Sequence, residues 1–276
     1  MKLNILLPTD FSDNAWNAIV YALKFYRDEY CTFYLLNSTH HDNLSMAKLP
    51  GISSRKKEEE AMKQLINLKY LAETTDANDN HDFQILLSDK DLNTAITKAI
   101  TDWNIDLVIM GTKGATGAKE LVLGSHTIQV LKHLKYCAIL IVPDEFEFVK
   151  PEYIAFPTDY SRTYTNKEIR ALKHLADVFI SKIKIVHIND SKELSEVQKY
   201  NLMKLKSDLN NYEYTVHSMP KRTKKSIEII NFVEDFGINL LALVHYKHSF
   251  LEKMVKENII ENLGLKPSIP MLVIPE

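Results

Sequence analysis

The stretch ILLPTDFS at Ile5–Ser12 returns as IAFPTDYS at Ile154–Ser161, and that recurrence decides the fold. Aligned on Pro8 and Pro157, the copies are offset by 149 residues in a chain of 276. Two further pairs follow in the same order. DLVIMGTKG at Asp106–Gly114 answers to NLLALVHYK at Asn239–Lys247, offset by 133, and AILIVPDE at Ala138–Glu145 answers to PMLVIPE at Pro270–Glu276. A repeat of about half the chain is large enough to hold its own core, so it reads as a duplicated domain. The domains fall at 1–146 and 150–276, divided near the charged, proline-containing DEFEFVKPE (Asp144–Glu152). The smaller second offset leaves the first copy with a surplus of about sixteen residues, placed in Thr39–Glu60 as a surface loop or a lid. RKKEEE at its end reads as the solvated start of a helix.

Within the first copy, LNILL, CTFYLL, FQILL, DLVIM and AILIV are unbroken apolar or β-branched runs. Strands without polar alternation are covered on both faces. Between them, SDNAWNAIVYALKFY places Trp16, Ile19, Val20 and Leu23 at helical spacing, with Ser12 or Asp13 as cap. KKEEEAMKQLINLKYLAE, LNTAITKAITDW and SHTIQVLKHL supply the other helices. Crossovers of that length imply parallel strands joined right-handedly. The predicted fold is α/β: two tandem doubly wound domains, each a five-stranded parallel sheet with helices on both faces. Ligands in such sheets sit beyond the carboxyl ends of the strands, at the switch point.

The composition is that of a globular protein, 45% hydrophobic and 25% charged, with a net charge of −2. That balance gives no basic field for nucleic acid, and no apolar run approaches the roughly eighteen residues of a membrane span. The opening MKLNILLPTD is too short in apolar residues for a signal peptide, so a cytoplasmic location is expected. Cys31 and Cys137 read as buried thiols beside strands.

Four of the seven glycines gather at Gly111, Gly114, Gly117 and Gly124, between the fourth strand and a helix starting near Ser125. Glycines let the main chain approach an anion, and a helix N-terminus favours phosphate. Ser125 and Thr127 add hydroxyls. The alternative is a loop in which Gly124 merely turns the chain and Ser125 caps the helix. Neither G-x-x-x-x-G-K-[ST] nor G-x-G-x-x-G is present.

The spacing Gly111-x2-Gly114-x9-Gly124-Ser125, together with PTD after the first strand, resembles the nucleotide-binding branch of the universal stress protein family, in tandem form. The resemblance implies flavodoxin-like domains of the HUP (adenine nucleotide alpha hydrolase-like) type and ATP, with Mg2+, bound in the first. It implies that Pro8, Thr9 and Asp10 line the pocket beside the adenosine. Met110, Gly111, Gly114, Gly124, Ser125 and Thr127 would meet phosphate and ribose, with Lys113 a loop cation. His126 either touches a terminal phosphate or faces solvent. Backbone near Leu36–Thr39, Ser38 included, would read adenine, although Asn37 and Ser38 depart from the family's usual histidine and valine. Asp10 has a second reading, as an Asx turn with no ligand. A stress-response regulatory or protective role follows from the resemblance, with a nucleotide-free interaction scaffold or a slow ATPase as alternatives. The family also implies that the two copies pair as an intrachain pseudo-dimer through their last strands, and leaves a homodimer open.

The second copy puts Val244, Lys247, Glu257 and Asn258 opposite Gly111, Gly114, Gly124 and Ser125. A carboxylate there repels phosphate, so one nucleotide site per chain is expected. His187, His217, His245 and His248 lie near strand ends with Asp159. Such a set could ligate zinc, but lacking a tight ligand spacing it is read as rim histidines, and no metal site is assigned. No nucleophile–base pair marks a dedicated enzyme. A phosphoacceptor receiver is disfavoured because IVPDE supplies no lysine after the fifth strand.

Overall fold

The computed structural model describes residues 2–40, 54–112, 124–133, 135–189, 193–246 and 268–276. They divide into two compact units, one up to Phe148 and the other from Val149.

The first unit contains β1 (Leu3–Pro8), α1 (Asp13–Phe25), β2 (Cys31–Ser38), α2 (Ser54–Asp76), β3 (His81–Ser88), α3 (Leu92–Trp103), β4 (Leu107–Gly111), α4 (Ser125–His133) and β5 (Ala138–Val142). Its strands are parallel in the order β3-β2-β1-β4-β5. Every residue of β4 and β5 is buried, as two-sided cover requires. α1 buries Ala15, Ala18, Ile19, Ala22 and Leu23 against the sheet, and its N-cap is Ser12, whose hydroxyl accepts from Ala15 N. The charged start of α2 is helical from Ser54, with Arg55 and Glu59 paired one turn apart at 3.3 Å.

The second unit contains β6 (Tyr153–Pro157), α5 (Asn166–Phe179), β7 (Lys182–Asn189), α6 (Glu196–Asp208), β8 (Tyr214–Pro220), α7 (Lys225–Asp235), β9 (Leu240–His245) and β10 (Met271–Pro275). The order β10-β9-β6-β7-β8 repeats that of the first unit. α5 and α6 each start on a capping box, Thr165 with Glu168 and Ser195 with Gln198. At the amino ends of the sheets Asp106 accepts from Asn4 N at 2.8 Å, and Asn239 accepts from Glu152 N and Tyr153 N at 3.0 Å. The same step of the repeat therefore pins the first strand to the fourth in both units.

Candidate functional site

β1 pairs with β2 on one side and β4 on the other, so the switch point of the first unit lies at the carboxyl end of β1. The chain leaves that end through a turn that closes on itself. Phe11 adopts φ 65, its amide donates to Thr9 Oγ1 at 3.0 Å, and Ser12 N donates to Asp10 Oδ1 at 3.1 Å. Thr9 N donates to Leu36 O at 2.8 Å, while the Thr9 carbonyl accepts from Asn37 Nδ2, also at 2.8 Å. Asp10 thus forms the Asx turn of the alternative reading, with its side chain at the exposed edge.

The second unit builds the same turn. Tyr160 has φ 54, Tyr160 N donates to Thr158 Oγ1 at 3.1 Å, and Ser161 N donates to Asp159 Oδ1 at 2.9 Å. The Thr158 carbonyl is held by His187 Nδ1 at 2.7 Å. Asn37 and His187 occupy matching steps of the repeat and do one job, donating to the carbonyl that precedes the turn. The departure at Asn37 therefore keeps the hydrogen bond that a histidine makes there.

At the end of β4, Gly111 meets α1. A Cβ on Gly111 would lie 2.0 Å from Asn14 Oδ1 and 2.9 Å from the Asn14 main-chain oxygen. Asn14 is buried, and its Nδ2 donates to Asp144 Oδ1 at 2.9 Å. The missing side chain at 111 is thus required by the close approach of a helix. The loop base is closed by a clasp. Gly124 N donates to Thr112 O, and the buried Thr127 hydroxyl donates to Gly111 O at 3.1 Å. A threonine hydroxyl carries one proton, so Thr127 holds the loop rather than offering a donor outward. Ser38 Oγ donates to Lys90 O at 2.6 Å, and Thr39 N donates to Ser88 O at 2.9 Å. These groups near the end of β2 serve the β3–α3 loop.

Met110 and Pro8 are buried strand residues. Of the described residues expected to line the pocket, Asp10, Ser125 and His126 are exposed, with Gly124 and Ser38 half-buried. Ser125 and His126 open α4, where the first amides have no intrahelical acceptor and the helix dipole is positive. Lys113, Gly114 and Gly117 lie outside the described residues, as do Lys247, His248, Glu257 and Asn258. Sequence reasoning missed Asn14, Thr112 and the latch role of Asn37; the alignment of Asn37 with His187 was the signal for the last. A cavity of about 540 Å³ opens at the other end of the unit, between α1 and the α2–β3 turn, lined among others by Lys24, Arg27 and Asp79.

At the corresponding edge of the second unit, described side chains pack on one another. The Arg162 guanidinium lies 4.4 Å from the Tyr246 ring centroid and 5.2 Å from that of Tyr164. It forks onto the buried carboxylate of Glu168, and the Tyr246 hydroxyl reaches Asp159 Oδ1 at 3.2 Å. Burial pushes the Asp159 carboxyl up, but the Ser161 amide and hydroxyl, Tyr246 and Lys225 outweigh it and hold it below the usual carboxylate range. His187 and His217 do not converge. His217 pairs in register with Val186, next to His187, and neighbouring residues of a strand face opposite sides. His187 stacks on Tyr160 at 4.8 Å, whereas His217 packs against Phe232 and Phe236. No metal-binding cluster exists among the described residues.

The sequence model of the universal stress protein family matches residues 1–143. The chain belongs to this family. Among solved structures, a universal stress protein of Archaeoglobus fulgidus DSM 4304 aligns over 99% of this chain and 96% of its own, with a TM-score of 0.67 at 17% identity. A Pseudomonas aeruginosa PAO1 protein of unknown function aligns over 99% and 92%, with a TM-score of 0.57 at 11% identity. The cytoplasmic domain of a prokaryotic cation chloride cotransporter aligns over 99% and 95%, at 0.56 and 9%. These likenesses establish the fold over both units: the flavodoxin-like, HUP-type α/β fold expected of a universal stress protein. Curated proteins return no match. No helix among the described residues is long and apolar enough to cross a membrane.

Proposed function

We propose that this universal stress protein binds one adenine nucleotide, ATP with Mg2+, at the carboxyl edge of its first unit, and that the bound nucleotide regulates its stress response. The contrast between the two edges carries the reading. The first presents the exposed Asp10 and the exposed start of α4, while Arg162, Tyr164 and Tyr246 pack on one another at the second. The phosphate end fits the chemistry of Gly124, Ser125 and His126, whose amides lie at a helix N-terminus. A carboxylate offers about four acceptor positions, so Asp10 can keep its turn and still receive ribose hydroxyls. The adenine end fits less well, because Ser38 and Thr39 already serve the β3–α3 loop.

A second reading, a nucleotide-free interaction module, is favoured by Gly111, Asn37 and Thr127, each of which has a role inside the fold. Calorimetric titration with ATP and Mg2+ separates the two. The nucleotide reading requires one site, weakened about tenfold by Asp10→Ala and by His126→Glu, a scale set by one lost contact to a charged group. Absence of heat and of competition by a fluorescent ATP analogue leaves the interaction module.

A further inference from the structure

α2 and α6 hold the same place in their units, following the second strand, and both are apolar on two sides. Towards the core α2 buries Ala61, Leu65 and Ala72, and α6 buries Leu205. Towards solvent α2 presents Met62, Ile66 and Tyr70, which are 36%, 53% and 68% exposed. α6 presents Val197, Tyr200 and Met203 at 61%, 61% and 65%. An isolated exposed apolar side chain needs no explanation, but a continuous ridge of three does.

The two ridges differ in pitch. That on α2 runs at i, i+4, i+8, and that on α6 at i, i+3, i+6. Rows of these two kinds are the ones that interlock when helices pack at about +20°. Two copies of the α2 ridge would instead meet in the steeper class near −50°. Set antiparallel, the ridges place Tyr70 against the small Val197, Ile66 against Tyr200, and Met62 against Met203. The same alignment brings the exposed Glu59 towards the exposed Lys206, whereas a parallel one brings Glu59 and Glu60 towards Glu196. We infer that α2 of one chain docks antiparallel on α6 of a second copy of the same chain.

The area suits a weak, reversible contact. Each ridge offers on the order of 400 Å² of apolar surface, within the range at which a patch on a monomer is functional. One α2–α6 contact that covers both ridges therefore removes up to about 800 Å² from water, the scale of a weak, reversible interface.

The test is sedimentation velocity of the full chain over about 1–100 μM, with Ile66→Lys, Tyr200→Glu and the double variant. Circular dichroism checks the fold, and the less disruptive Tyr70→Ser provides a second route to the same surface. We expect concentration-dependent self-association, each single charge weakening it at least about tenfold. The double variant should recover it, because the new lysine and glutamate face one another across the contact. Three results would overturn the proposal. These are a chain monomeric throughout the range, loss with Ile66→Lys but not with Tyr200→Glu, and self-association indifferent to both.

Discussion

Replacing Gly111 by alanine separates packing from ligand binding at the glycine where the two readings collide. The added Cβ would lie 2.0 Å from Asn14 Oδ1, 2.8 Å from Asn14 Cγ and 2.9 Å from Asn14 O. A side-chain oxygen can rotate away, but only by giving up the 2.9 Å hydrogen bond to Asp144. The main-chain oxygen belongs to the first turn of α1 and moves only if the helix moves. Carbon and oxygen normally approach no closer than about 3.3 Å, so α1 must lift by a few tenths of an ångström from β4. Overpacking of this kind costs about 1–3 kcal/mol, and a lost hydrogen bond to a charged group about 1.5–3 kcal/mol. Since the helix and the side chain share the adjustment, the sum is about 2–4 kcal/mol. That corresponds to a melting point lower by roughly 5–15 °C. The assay is thermal and urea denaturation without nucleotide. Asn14→Ala in the same chain removes the Oδ1 and Cγ contacts, so the double variant should be less unstable than the two singles added together. A Gly111→Ala protein with unchanged stability and lost nucleotide affinity would refute the packing argument and return this glycine to the ligand.

Asn37→Ala leaves the buried Thr9 carbonyl without its donor and should cost about 1–3 kcal/mol in urea denaturation. Asn37→His should recover most of it, as His187 does that work in the second unit. Glu168 is raised by burial but held below the usual carboxylate range by Arg162 and by the Thr165 amide and hydroxyl. Its contribution is therefore complete above the unfolded value near 4.5 and disappears as pH falls through the lower folded value. Glu168→Gln should cost about 3 kcal/mol at neutral pH and flatten the fall in melting temperature below pH 4.5, compared by calorimetry across pH. Ile180 caps α5 at φ 55 and is 90% exposed. A β-branched residue is strained in that conformation, so Ile180→Gly should raise stability by about 0.5–1 kcal/mol in the same assay.

The inner strands were legible because both of their faces are covered: runs such as AILIV contain no polar residue to confuse the period. The duplication exposed the repeated strand–helix units and the recurring turn, since one pattern written twice outweighs propensity at any single position. The site was less legible. Gly111 looks the same in sequence whether a phosphate or a helix comes close, and the contact that distinguishes them, with Asn14, spans nearly a hundred residues. Thr127 carries a hydroxyl at a helix start, but only the fold turns it inward to the Gly111 carbonyl. The strand-end histidines illustrate the same limit. His187 and His217 share an edge in the topology, yet the register of β7 on β8 sends them to opposite faces.

The most direct test of the single-site account is to denature the purified protein and identify and count what it releases, by chromatography and mass spectrometry. The account predicts ATP or ADP near one equivalent per chain, or one equivalent bound after incubation with ATP and Mg2+. Two equivalents, or a protein that stays empty at millimolar ATP, would contradict it.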